Sequence, residues 1–287
     1  NDLKIWRKSG KKSIEDSIKW MVNNDGFYFE SSTNYHRFAL ELFLYPYIFG
    51  KINHQKFSSN YQRKLQMMAD IIMYLNTPGN TIPQIGDNDC GRYLILNNYF
   101  NRDSNDYRYL LSICSIIFKR GDYKHLSKSF PIELFWIFGG KVKNYFDSII
   151  NEEVIIKSKS FKESGLYVIR DDNKKDYALI KGHGKNNMMH GHAHNDILSI
   201  ELWISGEMVF IDPGTYCYSS NLNLRDKFRS TKNHSTIMVN SNELNQLGPG
   251  AFEINWKTNF NCVEWIVSED QIKFVGTHDA YIKQYGI

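Results

Sequence analysis

Four of the nine histidines fall between His183 and His194, in "HGKNNMMHGHAHND". In an extended chain alternate side chains share a face, so His190, His192, His194 and Asp196 would point the same way. One strand cannot surround an ion, and ligands must converge from other segments. Two polar residues stand where neighbouring strands could supply them: Asp212 in "VFIDPGTY" and His234 just ahead of "STIMVN". Two imidazoles and a carboxylate suit Zn²⁺, with a fourth position open to water or substrate. The plainer alternative is a set of loop histidines hydrogen-bonded to backbone.

The elements that must position these residues divide by period. "SIEDSIKWMVNN" opens with Ser13 three residues before Asp16, a variant of the capping box, and repeats Ile14, Ile18 and Met21 on one face. "NYHRFALELFLYPYIFG" is an apolar helix ending near Pro46 and Gly50, Gln55 to Leu75 is long and amphipathic, and "YRYLLSICSIIFKR" follows from Tyr107. From about residue 145 the period becomes two: "GLYVIRDD", "DYALIKGH", "ILSIELWISGEMVFID", "STIMVNS", "CVEWIVSE" and "IKFVGTHD" read as strands, with a hairpin at "ISGEM". Without helices between them, these strands predict an antiparallel sandwich or barrel. The boundary falls near 145–160, in "NEEVIIKSKS", giving a helical domain over 1–150 and a β domain over 151–287.

At 287 residues, 42% hydrophobic and 23% charged, the chain is globular in composition. No apolar run reaches the roughly 18–20 residues that span a bilayer. A net charge of +4 without a basic stripe interleaved with aromatics argues against a nucleic-acid partner. The four cysteines form no CxxC pair, which argues against a cysteine zinc site. The chain begins at Asn1 and stops just after a strand-like run, and so reads as a fragment whose leader, if any, is not in view.

"HAHNDILSIELWISGEMVFIDPGTYCY" followed by "RDKFRSTKNHSTIMVN" resembles the C-terminal β-domain of the heparinase II/III-like polysaccharide lyases, a group that includes certain alginate lyases. The helical half adds "DGFYFESSTNYHRFALEL", similar to the family helix that carries Asn and His toward the sugar, and "PQIGDNDCGRYL", similar to a loop after the next long helix. The resemblance implies an (α/α) toroid portion followed by an antiparallel β-sandwich, here truncated, with the substrate between them. It implies β-elimination at a uronic acid: a base removes the C5 proton, the C4 glycosidic oxygen leaves, and a 4,5-unsaturated uronate end remains. The partner would be an anionic uronate polysaccharide, met in the periplasm or outside the cell.

By match to the family motif, Asn34 neutralises the uronate carboxylate with His36 beside it, so that charge building up during proton removal is stabilised. The two-residue spacing places Asn34 at or before the helix start, where a plain N-cap is the competing reading. His192 matches the catalytic histidine, and Tyr218 is the β-domain tyrosine, with Tyr216 as alternative. His194, Asp212 and His234 match the metal ligands, the zinc being structural and orienting His192. The family's helical-domain tyrosine is displaced: the corresponding stretch is "IGDNDCGRY", which offers Tyr93 and, as acidic or turn-forming residues, Asp87, Asn88 and Asp89. Arg92 and Arg229 are candidates for carboxylate or sulfate recognition, with salt bridges as the alternative. That departure keeps two rivals open. One is a zinc hydrolase built on His194, Asp212 and His234; the other is a non-catalytic carbohydrate-binding or polysaccharide-assembly protein.

Overall fold

The computed structural model describes residues 2–89, 91–96, 103–171, 173–184 and 191–287, so Cys90 and His190 lie outside the described residues. The chain forms two compact units. One comprises Asn1–Phe29, His36–Met73 and Arg92–Val154; the other comprises Glu30–Tyr35, Tyr74–Gly91 and Ile155–Ile287.

The first unit is helical. Helix α1 spans Asp2–Met21, α2 Thr33–Ile52 (its first three residues counted with the second unit), α3 Ser59–Leu75, α4 Arg108–Phe118, α5 Gly121–Ser127, α6 Glu133–Phe138 and α7 Val142–Ser148. Helix α3 shows why these segments fold as they do: Tyr61, Leu65, Met68 and Ile72 recur at helical spacing and are all buried. The buried Lys64 on the same helix donates to the carbonyls of Val22 (2.6 Å) and Asn23 (2.9 Å), satisfying groups just past the end of α1. Ser13 does not start a helix. It lies inside α1, because Asp16 pairs with Lys12 (2.6 Å) and Lys19 (2.8 Å) along the surface instead of turning back to a cap. Pro46 likewise fails to end α2, which runs on to Ile52. Burial of Leu40, Phe43, Leu44, Tyr47 and Ile48 around it outweighs the roughly 3 kcal/mol that an interior proline costs.

The second unit is built on a five-stranded antiparallel meander: β1 Lys159–Phe161, β2 Leu166–Asp171, β3 Asp176–Lys181, β4 Ser199–Ile204 and β5 Glu207–Phe210, in that order. The expected hairpin joins β4 to β5 through Ser205 (φ 55°) and Gly206 (φ 84°), the left-handed pair that matches strand twist. Helix α8, Leu222–Arg229, then interrupts what had read as continuous strands; Asn221 caps it by accepting from Leu224 N (3.1 Å). Two small antiparallel ribbons follow, β6 Gln246–Leu247 with β7 Ile254–Asn255 and β8 Phe260–Val267 with β9 Ile272–His278, before helix α9, Ala280–Tyr285. "STIMVNS" is not a strand. Ser235 O accepts one bond from Ile200 N (3.2 Å), after which Asn240 (φ 51°) and Ser241 (φ 60°) turn the chain left-handed and leave Ile237 exposed. Among the described residues no helix is long and apolar enough to cross a membrane.

Candidate active site and metal centre

Two short stretches from the helical half belong to the second unit, and they form the floor of the site. Ser32 Oγ accepts from Tyr35 N (3.2 Å), so Ser32 is the cap of α2 and Asn34 sits buried in its first turn, not at the cap. The same Ser32 hydroxyl donates to Asp87 O (2.7 Å), and Thr33 Oγ1 donates to Pro83 O (2.8 Å) while accepting from Ile85 N (3.1 Å). These bonds clip the 83–87 loop to the helix start. Gly86 (φ 64°) lets the loop pass close to the histidine segment: a Cβ there would lie 2.4 Å from His192 O. Asp87 N then donates to that same carbonyl (2.8 Å).

Asp87, which the sequence offered as an acidic or turn-forming loop residue, is the centre. It is fully buried, and its two oxygens receive both terminal nitrogens of the equally buried Arg225 (Nη2–Oδ2 2.8 Å), His192 Nδ1 (3.0 Å) and His194 Nε2 (2.8 Å). Burial alone would raise this carboxyl; bonds from the two histidines and the charges of His194 and Arg225 overcome it and hold the group well below the ordinary range. An ionised acceptor at Nδ1 holds the proton of His192 there, and Nε2 lies 3.7 Å from Glu30 Oε2.

Tyr35 packs flat on His192, with ring centroids 3.6 Å apart and planes at 11°. Its hydroxyl donates to Asp89 Oδ2 (3.0 Å) and lies 3.3 Å from the hydroxyl of Tyr218. Burial, then the acidic neighbours, push Tyr35 up to about 12, against a lowering bond from Tyr218; burial and the bond to Tyr35 push Tyr218 higher still. Phe252 touches both His192 (5.4 Å) and Tyr218 (5.4 Å), closing the aromatic wall. Tyr216 takes no part, being largely exposed and stacked on Phe228.

His194, Asp212 and His234 converge as the sequence suggested, their ligand atoms all within 4.8 Å of one another. Asp212 Oδ2 and His234 Nδ1 are 2.7 Å apart. His194 Nδ1 and His234 Nε2 are buried with no hydrogen-bond partner among the described residues. Two orphaned imidazole nitrogens beside a carboxylate are a costly arrangement without a cation and a fitting one with it. The donor set therefore fits zinc.

Other candidates fall elsewhere. His36 is buried in the helical unit with both nitrogens committed: Nδ1 accepts from Tyr28 N (3.1 Å) and Nε2 bonds Met68 O (3.0 Å). No nitrogen remains for a sugar, and burial lowers its pKa to about 4. Arg229 is also structural; its guanidinium bonds the carbonyls of Gly248, Gly250, Ala251 and Glu253, bracing the β6–β7 turn, so it is not available to an anion. Arg92 and Tyr93 belong to the helical unit, where Arg92 stacks on Tyr109 (4.0 Å) and the half-exposed Tyr93 ring lies near Tyr45 (6.0 Å). Sequence reasoning missed Tyr35 and Arg225. Their only signals were adjacency to Asn34 and the four-residue spacing to Arg229.

A buried carboxylate bonded to a histidine, a tyrosine pair beside it and a His₂Asp cluster whose donor atoms suit a metal ion make up the candidate site. Two family profiles fit the chain around it: the heparinase II/III N-terminus over residues 1–107 and the heparinase II/III-like C-terminal region over residues 156–287. The chain belongs to the heparinase II/III-like family. It is 25% identical over 273 residues to a heparin-sulfate lyase of Pedobacter heparinus, covering 91% of this chain and 36% of that protein. A heparin-sulfate lyase of Bacteroides stercoris is 27% identical over 255 residues, covering 84% and 33%. The fold is similar to the crystal structure of heparan sulfate lyase HepC from Pedobacter heparinus, with a TM-score of 0.70 at 22% identity over 98% of this chain and 39% of that one. The chain thus spans about a third of the length of the curated relatives it matches.

Proposed function

We propose that the protein to which this chain belongs is a polysaccharide lyase that cleaves uronate-containing glycans by β-elimination, with sulfated glycans of the heparan type as first candidates. The observation that carries the reading is the Asp87–His192 pair with Tyr218 at its side, a fixed base and a hydroxyl acid held within one unit. The names of the relatives support the substrate class. In the whole protein the helical unit is read as part of a toroid and the β unit as part of a sandwich.

His192 Nε2 takes the C5 proton while Tyr218 protonates the departing C4 oxygen; the C5–H and C4–O bonds break and a C4=C5 double bond forms. Asn34, from the first turn of α2, donates to the uronate carboxylate and stabilises the charge that builds there. Asp87 stays ionised throughout, keeping the proton of His192 on Nδ1. His194, Asp212 and His234 would hold the zinc, which supplies structural cross-linking and positive charge when bound. Through the bond from His194 to Asp87, the same cluster sets the position of His192. This gives His194 a supporting role unlike that of a ligand in a water-activating hydrolase.

The test is ultraviolet absorbance of the conjugated unsaturated product when the full-length protein meets a panel of uronate polysaccharides. A rise with wild type that His192→Ala and Tyr218→Phe abolish is expected. Cleavage with water incorporated and no double bond would replace the lyase by the hydrolase, and sugar retention without turnover would favour a binding protein.

A further inference from the structure

Tyr35 has one hydroxyl hydrogen, and it is spent on Asp89 Oδ2 at 3.0 Å. The 3.3 Å contact between the two tyrosine oxygens must therefore be donated by Tyr218. The result is a directed chain, Tyr218 to Tyr35 to Asp89, that starts at the acid of the proposed reaction and ends on an exposed carboxylate. Each link is held from its own side. Tyr35 is fixed by its stack on His192, and Asp89 by accepting Gly91 N on Oδ1 (2.8 Å), which leaves Oδ2 for the tyrosine. Tyr218 is fixed by Phe252 and by the Arg225 guanidinium 5.2 Å from its ring.

From this geometry we infer that Tyr35 and Asp89 form a proton relay that reloads Tyr218 from solvent. The relay rests on the lyase reading and supplies what that reading lacks, a second tyrosine in place of the displaced one of the helical domain. Tyr218 turns its hydrogen from Tyr35 to the glycosidic oxygen and gives it up; the Tyr35 hydroxyl then turns from Asp89 to the Tyr218 oxygen and gives its hydrogen there, and a solvent proton taken up on Asp89 Oδ2 passes to Tyr35. Meanwhile the C5 proton leaves on the other path, through His192 Nε2. Each turnover takes one proton from solvent and returns one, and no oxidant or reductant is needed. Burial raises the affinity of both phenols for their protons, so each rests protonated. Tyr35 is a positioning and relay residue here, since it need not touch the sugar.

The experiment uses the full-length protein on whichever polysaccharide wild type cleaves. Tyr35→Phe keeps the stack on His192 and deletes the hydroxyl; kcat is expected to fall about 10- to 100-fold with KM little changed. The dependence of kcat on D₂O fraction should change from bowed, with several protons in flight, to linear. Asp89→Ala should show a smaller loss that formate restores, whereas formate should not restore Tyr35→Phe. Wild-type kcat in both variants, or a bowed D₂O dependence that survives Tyr35→Phe, overturns the relay. If Tyr35→Phe is misfolded by melting temperature, the exposed Asp89 decides: absence of both a rate loss and formate rescue overturns the relay equally. No unsaturated product from wild type itself overturns the lyase reading instead.

Discussion

Replacing Asp87 with Asn tests the centre of the site. The side chain keeps its shape and one acceptor oxygen but loses its charge, while Arg225 stays fully buried beside it. Removing one partner of a buried ion pair costs about 3–5 kcal/mol, and the retained oxygen points to the lower end, about 3 kcal/mol. At roughly 2–4 °C per kcal/mol for a unit of this size, the melting temperature should fall by about 6–12 °C. Catalysis should suffer separately. Without an ionised acceptor the Nδ1 proton of His192 is no longer fixed, and losing such an orienting carboxylate can cost about 10⁴-fold in rate. Calorimetry and the ultraviolet assay read the two effects. The double variant Asp87→Asn/Arg225→Met isolates the stranded charge and should regain about 1 kcal/mol or more over Asp87→Asn alone. A melting temperature within about 2 °C of wild type together with an unchanged rate would refute the role given to Asp87.

Three further perturbations follow from other parts of the molecule. His36 has a pKa of about 4 in the folded protein against an ordinary 6.5, so below pH 6.5 the unfolded chain takes up a proton that the folded chain refuses. Stability is whole above pH 6.5, declines between 6.5 and 4 by about 3 kcal/mol from this residue, and then levels off; urea unfolding across that window should lose this part of its slope in His36→Gln, and an identical slope would sink the assignment. Gly86→Ala forces a left-handed residue with its Cβ against His192 O and should cost more than about 2 kcal/mol while displacing His192; a neutral substitution would show the close approach to be wrong. After chelation, zinc at a thousand times its Kd should stabilise the protein by about 4 kcal/mol, seen as a rise in melting temperature, and the rise should vanish in His234→Ala. A rise unchanged by that substitution would place the metal elsewhere.

The sequence by itself determined the helical and β segments and the β4–β5 hairpin, and residue type singled out the histidine cluster with Asp212 and His234, of which the structure brings His194, Asp212 and His234 together. Periodicity, turn chemistry and residue type are local properties, and they survive reading in one dimension. Family resemblance pointed to His192 and Tyr218, and both lie against Tyr35 in the structure. The tertiary structure decided what depends on direction and long-range approach. Tyr35 and His36 are neighbours in sequence, but successive helical residues point about 100° apart, so one stacks on His192 while the other is buried among backbone groups of the helical unit. Arg225 and Arg229 share α8, yet one reaches Asp87 and the other is consumed by the carbonyls of the β6–β7 turn. Asp87 was legible only as one of several acidic or turn-forming loop residues because its partners lie more than a hundred residues away. What brings them together is a glycine that lets one backbone pass against another. Spacing along a chain carries no record of such an approach, and that is why the structure, not the sequence, located the hub of the site.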